Sequence, residues 1–501
     1  VSIFALNVAI GLGLGLAIDY SLFIVSRYRE EIARTGPGLE AMRHTLATAG
    51  RTVLFSALTV AGALASLVVF PQNFLYSMGI AGFFVAIIAA AIALTVLPAI
   101  LGLLGRRVDA LTPRFLARRA ARDARPAQDG FWYRLARLVS RFPGRIATTT
   151  TAVLIALGIP FFGIQFTSVD AEVLPSSASA RQVADGLEAS FPPYRDTPVT
   201  LAVDGDQPEA ERIAAEAAEL PAAAAVRPPR ALDNGTYAID VISTAPPLDD
   251  QSQELVRELR DRDPAALVTG TTALYLDLEQ SLGQHLPLMV SIVLAITIAV
   301  LFAMTGSLIL PLTQIVMNAL GLSAVLGILV LIFQDGRFES LLGYASQGGL
   351  EATQLLLLFA TVFGLSTDYG VFLLARIKEA RDRGLAHSEA VAVGLERTGR
   401  IVTAAALLFS VAFGAFITSE IIVLKVLGLG TALAVLIDAT IIRALLVPSL
   451  LQLLGRWSWW APQRLSRLYA RVRLSEASDA DERPGTERTD ELEEIQLAGG
   501  R

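Results

Sequence analysis

The stretches Ala17-Ile18-Asp19-Tyr20 and Ser366-Thr367-Asp368-Tyr369 each place a carboxylate beside a phenol inside a long apolar run. These runs cover about 1–26 and 352–375, and each can cross a hydrocarbon core of ~30 Å. Each Asp lies eight residues before an arginine, which at 1.5 Å per residue puts it ~12 Å from the expected water boundary. An ionisable group at that depth costs at least ~2.5 kcal/mol and indicates a functional site.

The composition is that of a polytopic membrane protein, because 53% of the 501 residues are hydrophobic. There is no cysteine, which excludes disulfides and cysteine-ligated metals. The three histidines fall in predicted loops or at helix ends, so we expect neither a metal nor a cofactor. No phosphate-binding loop, nucleophile motif or nucleic-acid motif is present, which argues against an ATPase, an enzyme or a nucleic-acid partner.

Hydropathy predicts nine spans, and arginine placement predicts their orientation. The spans are expected at about 1–26, 53–70, 75–104, 146–164, 286–304, 308–333, 352–375, 401–418 and 422–446. Every arginine-rich segment then falls on the cytoplasmic side, and the polar residues 165–284 fall outside. Strand and helix patterns alternate over that outer segment, which predicts a small α+β module of split β-α-β type. Its strands are expected at 198–203, 237–243 and 267–269, and its helices at 178–191, 209–220, 251–263 and 272–282.

The predicted organisation therefore has six parts. They are three spans in 1–105, a basic cytoplasmic linker in 106–145, one span in 146–164, the extracytoplasmic α+β domain in 165–284, five spans in 285–456, and a cytoplasmic interfacial helix with a charged, disordered tail in 457–501. The basic linker is expected either to lie partly as an amphipathic helix on anionic lipid or to act only as an orientation signal.

The two Asp-Tyr segments belong to one unit that occurs twice. Adding 349 to Asp19, Arg27 or Gly50 gives Asp368, Arg376 or Gly399, and each unit has three spans of the same orientation. The fold class is therefore an α-helical membrane protein with parallel internal repeats, whose shared site lies between the halves. The first unit lacks the span, outer domain and two further spans that precede the second. We expect them before residue 1, which would make twelve spans.

Helix geometry predicts how the pairs meet. Consecutive residues on a helix point ~100° apart, so Asp19 is expected to bond Tyr369, and Asp368 to bond Tyr20, across the repeat interface. A glycine-rich segment, 11–15, leaves little side chain just before Asp19 and should let another helix approach. The pairs could carry protons or could simply clamp two helices by a hydrogen bond.

Several motifs resemble those of the mycobacterial-membrane-protein-Large family, within the resistance-nodulation-division superfamily. They are the glycine-rich Gly11–Leu16 before the first Asp-Tyr pair, Arg27-Tyr28-Arg29-Glu30-Glu31, the second Asp-Tyr pair, Asp438–Pro448 and Trp457–Pro462. The resemblance covers nearly the whole chain and corresponds to the fourth through twelfth spans of that family. The first third of the family pattern is absent.

The resemblance implies that Asp19, Tyr20, Asp368 and Tyr369 form a proton relay. It also implies export of lipids or other hydrophobic molecules from the bacterial plasma membrane, driven by the proton-motive force. Protons, a lipid substrate and membrane lipids are the expected partners, and homo-oligomers or accessory proteins stay open. Two alternatives remain: efflux of small drugs, and a lipid sensor or scaffold that does not transport.

One more charged pair lies in the last span. Asp438 and Arg443 stand where the first repeat has Ala89 and Leu94. Asp438 could join the charge network of the Asp-Tyr pairs, and Arg443 could extend its side chain to the cytoplasmic interface. A structural role is the preferred expectation for both residues.

Overall fold

The computed structural model describes residues 3–109, 130–168, 171–191, 194–232 and 235–472. Within these ranges, nine helical segments are long and apolar enough to cross a membrane, which confirms the predicted number. We number them as spans 1–9: Ala9–Thr35, Leu39–Val69, Asn73–Leu104, Pro143–Gly163, Thr271–Thr305, Ile309–Gln334, Ala352–Asp382, His387–Thr418 and Ile422–Trp459. The helix of span 1 itself begins at Ile3.

Several helices extend beyond the apolar runs that predict them. Span 1 continues to Thr35 rather than ending near 26, and span 8 begins at His387 rather than near 401. The expected outer-domain helix 272–282 is continuous with span 5 in a single helix, Thr271–Thr305, so the expected boundary at 284 falls inside it. Hydropathy marks where a helix meets water, whereas backbone hydrogen bonds continue past that point.

Span 9 departs from regular α-helix where its charged residues lie. Residues Asp438–Leu446 form a π-helix between the α-helical segments Ile422–Ile437 and Val447–Leu454. Shorter π-helical segments occur at Leu46–Gly50 and Val330–Gln334. Such segments are frequent at functional sites, because they turn side chains to faces that a regular helix does not present.

Span 7 lies at the centre of the membrane domain. It packs against spans 2, 8 and 9, and most residues of its apolar part are buried inside the protein. Span 1 packs against spans 3 and 8. A hydrogen bond between Tyr369 and Asp19 and the stacked rings of Phe23 and Phe372 join the two Asp-Tyr helices across the repeat interface. The parallel-repeat fold predicted from the sequence is confirmed.

Equivalent glycines make equivalent contacts in the two repeats. Phe409 of span 8 packs on Gly15 of span 1, and Val60 of span 2 packs on Gly364 of span 7. Adding 349 to Gly15 gives Gly364, and adding 349 to Val60 gives Phe409. The helix expected to approach the glycine-rich face of span 1 is therefore span 8.

The mirrored contacts predict unequal costs for one substitution. A Cβ at position 15 would overlap the buried Phe409 ring, which stacks on Phe413 at 4.7 Å, whereas a Cβ at position 364 would lie 3.3 Å from its nearest neighbours. We expect Gly15→Ala to destabilise the protein by about 1–3 kcal/mol, the usual cost of overpacking. Gly364→Ala is the matched control and should destabilise the protein less, because its Cβ requires shifts of only a few tenths of an ångström in Val60 and Ala63. Thermal unfolding of the purified variants tests this, and equal shifts in both would contradict it.

The outer domain has the split β-α-β topology that the sequence predicts. Its strands are β2 (Val199–Asp204), β3 (Ala223–Val226), β4 (Arg230–Ala231), β5 (Thr236–Ser243) and β6 (Leu267–Thr269). They form a sheet of the order β3-β5-β2-β6, with β4 paired to β5. Helices Gln207–Ala218 and Asp250–Arg262 cover the apolar core of the sheet, and Ser179–Ser190 is a third helix. The sequence missed β3 because its alanines have little strand propensity.

A short parallel pair joins two loops at the outer face of the membrane domain. Strand β1 (Phe166–Thr167) follows span 4, and β7 (Leu350–Glu351) precedes span 7. The Glu351 carboxylate then caps span 7 by accepting hydrogen bonds from the backbone N–H groups of Thr353 and Gln354, at 3.1 and 2.6 Å. The start of the central helix is thus fixed to the chain that leads into the outer domain.

The described part of the basic linker is held by protein contacts. Helix Phe131–Arg141 packs on span 8, where Tyr133 Oη donates to Glu389 at 2.9 Å and the Trp132 ring covers Gly399. The rest of the expected amphipathic segment, 110–129, and the expected disordered tail, 473–501, lie outside the described residues. Helix Gln463–Val472 follows span 9.

Candidate functional site

The first Asp-Tyr pair forms across the repeat interface, as the sequence predicts. Tyr369 Oη of span 7 donates to Asp19 Oδ2 of span 1 at 2.6 Å, and each side chain belongs to a residue only 1% exposed. The bond exists only when the two halves pack together, because each half contributes one partner.

The prediction of a hydrogen bond between Asp368 and Tyr20 is wrong. Asp368 Oδ1 accepts a hydrogen bond from Ser56 Oγ of span 2, not from Tyr20. Tyr20 lies within electrostatic reach of Asp368 and is fully buried, but its hydroxyl makes no hydrogen bond to Asp368 and lies near Ser56 instead. The prediction failed because span 2 packs closely on span 7 and brings a smaller hydroxyl to the carboxylate first.

Both carboxylates keep one oxygen open. In the described part of the chain, Asp19 Oδ1 and Asp368 Oδ2 are buried without a hydrogen-bond partner, and neither carboxylate has an ion-pair partner. A buried polar atom without a partner is costly, and an unpaired charge costs more. Each open oxygen can therefore receive a proton or a water molecule and gain from doing so.

The π-helix of span 9 brings Asp438 and Arg443 together. Arg443 Nε donates to Asp438 Oδ2 at 2.7 Å, and its Nη2 donates to the backbone carbonyl of Ser366. The guanidinium also lies 5.4 Å from the centre of the Tyr369 ring. Arg443 is only 2% exposed, so the expectation that it extends to the interface is wrong. A regular helix would point residues five apart ~140° from each other, which is why the sequence did not predict this pair.

Two amides of span 6 extend the polar cluster and were not predicted. Gln314 Nε2 donates to Asn318 Oδ1 at 2.7 Å, and Asn318 Nδ2 donates to Thr367 Oγ1 at 2.9 Å. Both amide residues are at most 3% exposed. The signal was present in the sequence, since two amides spaced four apart in an apolar run lie on one helix face.

Two equivalent phenylalanines close the cluster towards the cytoplasm. Phe23 and Phe372 follow the two aspartates by one helical turn and stack face to face, with ring centres 3.4 Å apart. Below them lies a cavity of about 70 Å³, lined in part by Thr48, Thr52 and Arg376. A cavity of that volume with hydroxyl and charged groups in its lining has room for several water molecules. Only the stacked rings and one helical turn then separate the carboxylates from it.

An ion cluster shared by both repeats borders this cavity. Arg27 pairs with Glu30 at 3.1 Å and with Glu379 of the other repeat at 3.3 Å. Arg376 mirrors it, pairing with Glu379 at 3.0 Å and with Glu30 at 3.3 Å. The two arginines were expected to mark the open water boundary, but Arg27 is only 4% exposed and both link the halves.

In the described ranges, no group of three or more His, Asp or Glu side chains is arranged to hold a metal ion. The cluster itself offers two carboxyl groups, two phenols and one Asp-Arg ion pair, all within the buried interface of the repeats. Such groups, spaced by hydrogen bonds, can take up, hold and pass a proton.

The unequal roles of the two tyrosines give a prediction. Tyr369→Phe removes the hydrogen bond to Asp19, and bonds to charged groups contribute about 1.5–3 kcal/mol. If the cluster passes protons, Tyr369→Phe should slow proton transfer about tenfold or more. Tyr20→Phe removes a hydroxyl that makes no hydrogen bond to Asp19 or Asp368, so it should keep most of the wild-type rate. Proton-transfer rates of the two variants, at equal abundance, test this, and equal losses would contradict it.

Comparison with known proteins identifies the family. The model of the MMPL family matches residues 1–146 and 247–478. A membrane protein of Streptomyces coelicolor is 40% identical over 480 residues, covering 95% of this chain and 66% of the relative. The trehalose monomycolate exporter MmpL3 of Mycobacterium tuberculosis is 38% identical over 529 aligned positions, covering 96% of this chain and 55% of the relative. The chain thus spans about half to two thirds of these relatives.

A solved structure agrees in fold. The crystal structure of SecDF, a translocon-associated membrane protein from Thermus thermophilus, matches with a TM-score of 0.51 at 16% identity, over 88% of this chain and 54% of that chain. This likeness supports the arrangement of spans and outer domain only. The family match itself shows that this multi-pass protein of the cell membrane belongs to the MMPL family.

Proposed function

We propose that the protein exports lipids from the cell membrane and that protons passing through the Asp-Tyr cluster drive the export. The observation that carries the proposal is the pair of buried carboxylates, Asp19 and Asp368, each with one oxygen left open at the repeat interface. A proton that binds or leaves there changes the charge between the two halves. Because the halves meet at this point, protonation can bias how they pack.

The contacts of Asp19 favour a relay over a clamp. A clamp needs only the hydrogen bond from Tyr369, and it gives no reason for a second carboxylate with its own hydroxyl partner, Ser56. A relay needs groups that accept and donate protons in sequence, and both carboxylates together with the Tyr369 hydroxyl meet that need. The cavity below Phe23 and Phe372 has room for water on the cytoplasmic side.

Two observations support a lipid as the cargo. The relative named a trehalose monomycolate exporter aligns with 96% of this chain. In addition, helix Ser179–Ser190 of the outer domain and the residue that follows it expose an apolar stripe, in which Val183, Leu187 and Phe191 are 61%, 43% and 61% exposed. An exposed stripe of this kind suits the acyl chains of an amphiphilic molecule.

Export measured in cells tests the proposal and separates its alternatives. Cells that lack the chromosomal copy would carry the full-length gene, and newly labelled lipids and a set of dyes would be followed to the cell surface. We expect lipid export that stops when a protonophore collapses the gradient. Export of dyes alone would favour drug efflux. Normal lipid export in cells without the protein, or export that ignores the protonophore, would overturn the proposal.

A further inference from the structure

The Ser366 hydroxyl lies between two acceptors but has one hydrogen. Its Oγ is 2.7 Å from Asp438 Oδ1 and 2.8 Å from Asn318 Oδ1. Both distances suit an O–H donor, and all three residues are at most 6% exposed. The hydroxyl can serve only one acceptor at a time, so the site has two hydrogen-bonded arrangements built from the same atoms.

The orientation of the Asn318 amide is fixed by its other partner. Its Nδ2 donates to Thr367 Oγ1 at 2.9 Å, and Thr367 Oγ1 donates its own hydrogen to the carbonyl of Phe363 at 2.7 Å. Thr367 can therefore only accept from the amide, which turns Asn318 Oδ1 towards Ser366. The acceptor for the second arrangement is thus held in place by span 7 itself.

The second arrangement would let Ser366 accept a hydrogen bond from Asp438 when Asp438 takes up a proton. We propose that the Ser366 hydroxyl is a two-position switch that, with Asn318 as its positioning residue, gives Asp438 a proton-holding state. In the ionised state Ser366 donates to Asp438. In the protonated state Asp438 donates to Ser366 Oγ, and Ser366 donates to Asn318 Oδ1. This inference rests on the proposed proton relay and adds a third protonation site to it.

The step balances within the cluster. A proton that leaves a carboxyl group of the proposed relay arrives on Oδ1 of Asp438, so that carboxyl group becomes a carboxylate and Asp438 becomes neutral. One O–H bond breaks and one forms, the Ser366 hydrogen turns towards Asn318, and no electron is transferred. Arg443 remains a cation in both states, and its charge acts on Asp368 as well as on Asp438. The total charge of the cluster is therefore unchanged.

The groups that face Asp438 are few. Arg443 comes from its own span, Tyr369 comes from span 7, and span 6 contributes only amides at this level. The other helices packed against this part of span 9 are span 4, span 8 and helix Phe131–Arg141. Their charged or titratable residues lie towards the cytoplasmic end: Tyr133, Arg134, Arg137, Arg141, Arg145, His387, Glu389, Glu396, Arg397 and Arg400.

Infrared difference spectra between high and low pH test the switch on the full-length protein in nanodiscs, because a protonated carboxyl has its own carbonyl-stretching band. The Asp438 band is the one that disappears in Asp438→Asn. We expect Asn318→Leu and Ser366→Ala to reduce that band at least twofold at the same pH, because the proton on Asp438 loses its chain of acceptors. Gln314→Leu is the matched control. It removes a donor to Asn318 Oδ1 and leaves the acceptor free for Ser366, so the band should persist.

Two results would overturn the switch. One is an Asp438 band that is unchanged in Asn318→Leu and in Ser366→Ala. If one of these variants does not fold, the other alone decides. The second result is a wild-type spectrum without any band that depends on Asp438. The relay itself is judged separately in the same spectra, by the band that disappears in Asp368→Asn. The switch can therefore fail while the proposed function stands.

Discussion

Replacing Asp19 or Asp368 by asparagine is expected to reduce export to background, by at least about 100-fold. Asparagine is nearly the same size and can still accept a hydrogen bond from Tyr369 or Ser56, so the packing of the repeats should survive. What is lost is the ability to bind and release a proton. A positioned proton-transfer group typically contributes a factor of 10² to 10⁴, which sets the expected size of the loss.

The matched control lies in the same helix. Asp382, at the cytoplasmic end of span 7, forms an exposed ion pair with Lys378 at 2.5 Å, and its side chain is 45% exposed. Exposed pairs contribute little to stability, so Asp382→Asn should export normally. Export would be measured in cells at equal membrane abundance of each variant. Normal export by both Asp19→Asn and Asp368→Asn would mean that the pairs are helix clamps.

Breaking the ion pair of span 9 is expected to have the largest effect on stability. Arg443→Met leaves Asp438 buried without its cation, and removal of one partner of a buried pair costs about 3–5 kcal/mol. The loss of the hydrogen bond to the Ser366 carbonyl adds to that cost. Thermal unfolding of the purified protein should therefore move to clearly lower temperature.

A second substitution should recover much of that loss. In Arg443→Met with Asp438→Asn, no charge remains buried without a partner, so the double variant should be more stable than Arg443→Met alone. The interaction between the two sites, obtained from the single and double variants, should exceed about 1 kcal/mol, as expected for residues in direct contact. A double variant as unstable as the sum of the two single variants would show that the pair contributes nothing to the fold.

The repeat was the part of the site most accessible from the sequence. A costly carboxylate that occurs twice, with the same spacing to an arginine, predicted both the membrane fold and the meeting of Asp19 with Tyr369. The prediction worked because it used two strong constraints: the depth of a charge in a membrane and the symmetry of parallel repeats.

The partners outside the repeat motif could not be predicted in the same way. Ser56 is one hydroxyl in an apolar run, and only the close packing of span 2 on span 7 makes it the partner of Asp368. The Asp438–Arg443 pair depends on a π-helix, which the residue pattern does not predict. The asymmetry between the two halves of the site thus arises from packing and local helix geometry, not from the duplicated motif.

The most direct test of the central claim is proton flux through the cluster. The full-length protein would be reconstituted into vesicles that contain a pH-sensitive dye, and an inward pH gradient would be imposed in the presence of labelled lipid cargo. We expect internal acidification by the wild type and by Asp382→Asn, and none above empty vesicles by Asp19→Asn or Asp368→Asn. Acidification by either of these two at the wild-type rate would contradict it.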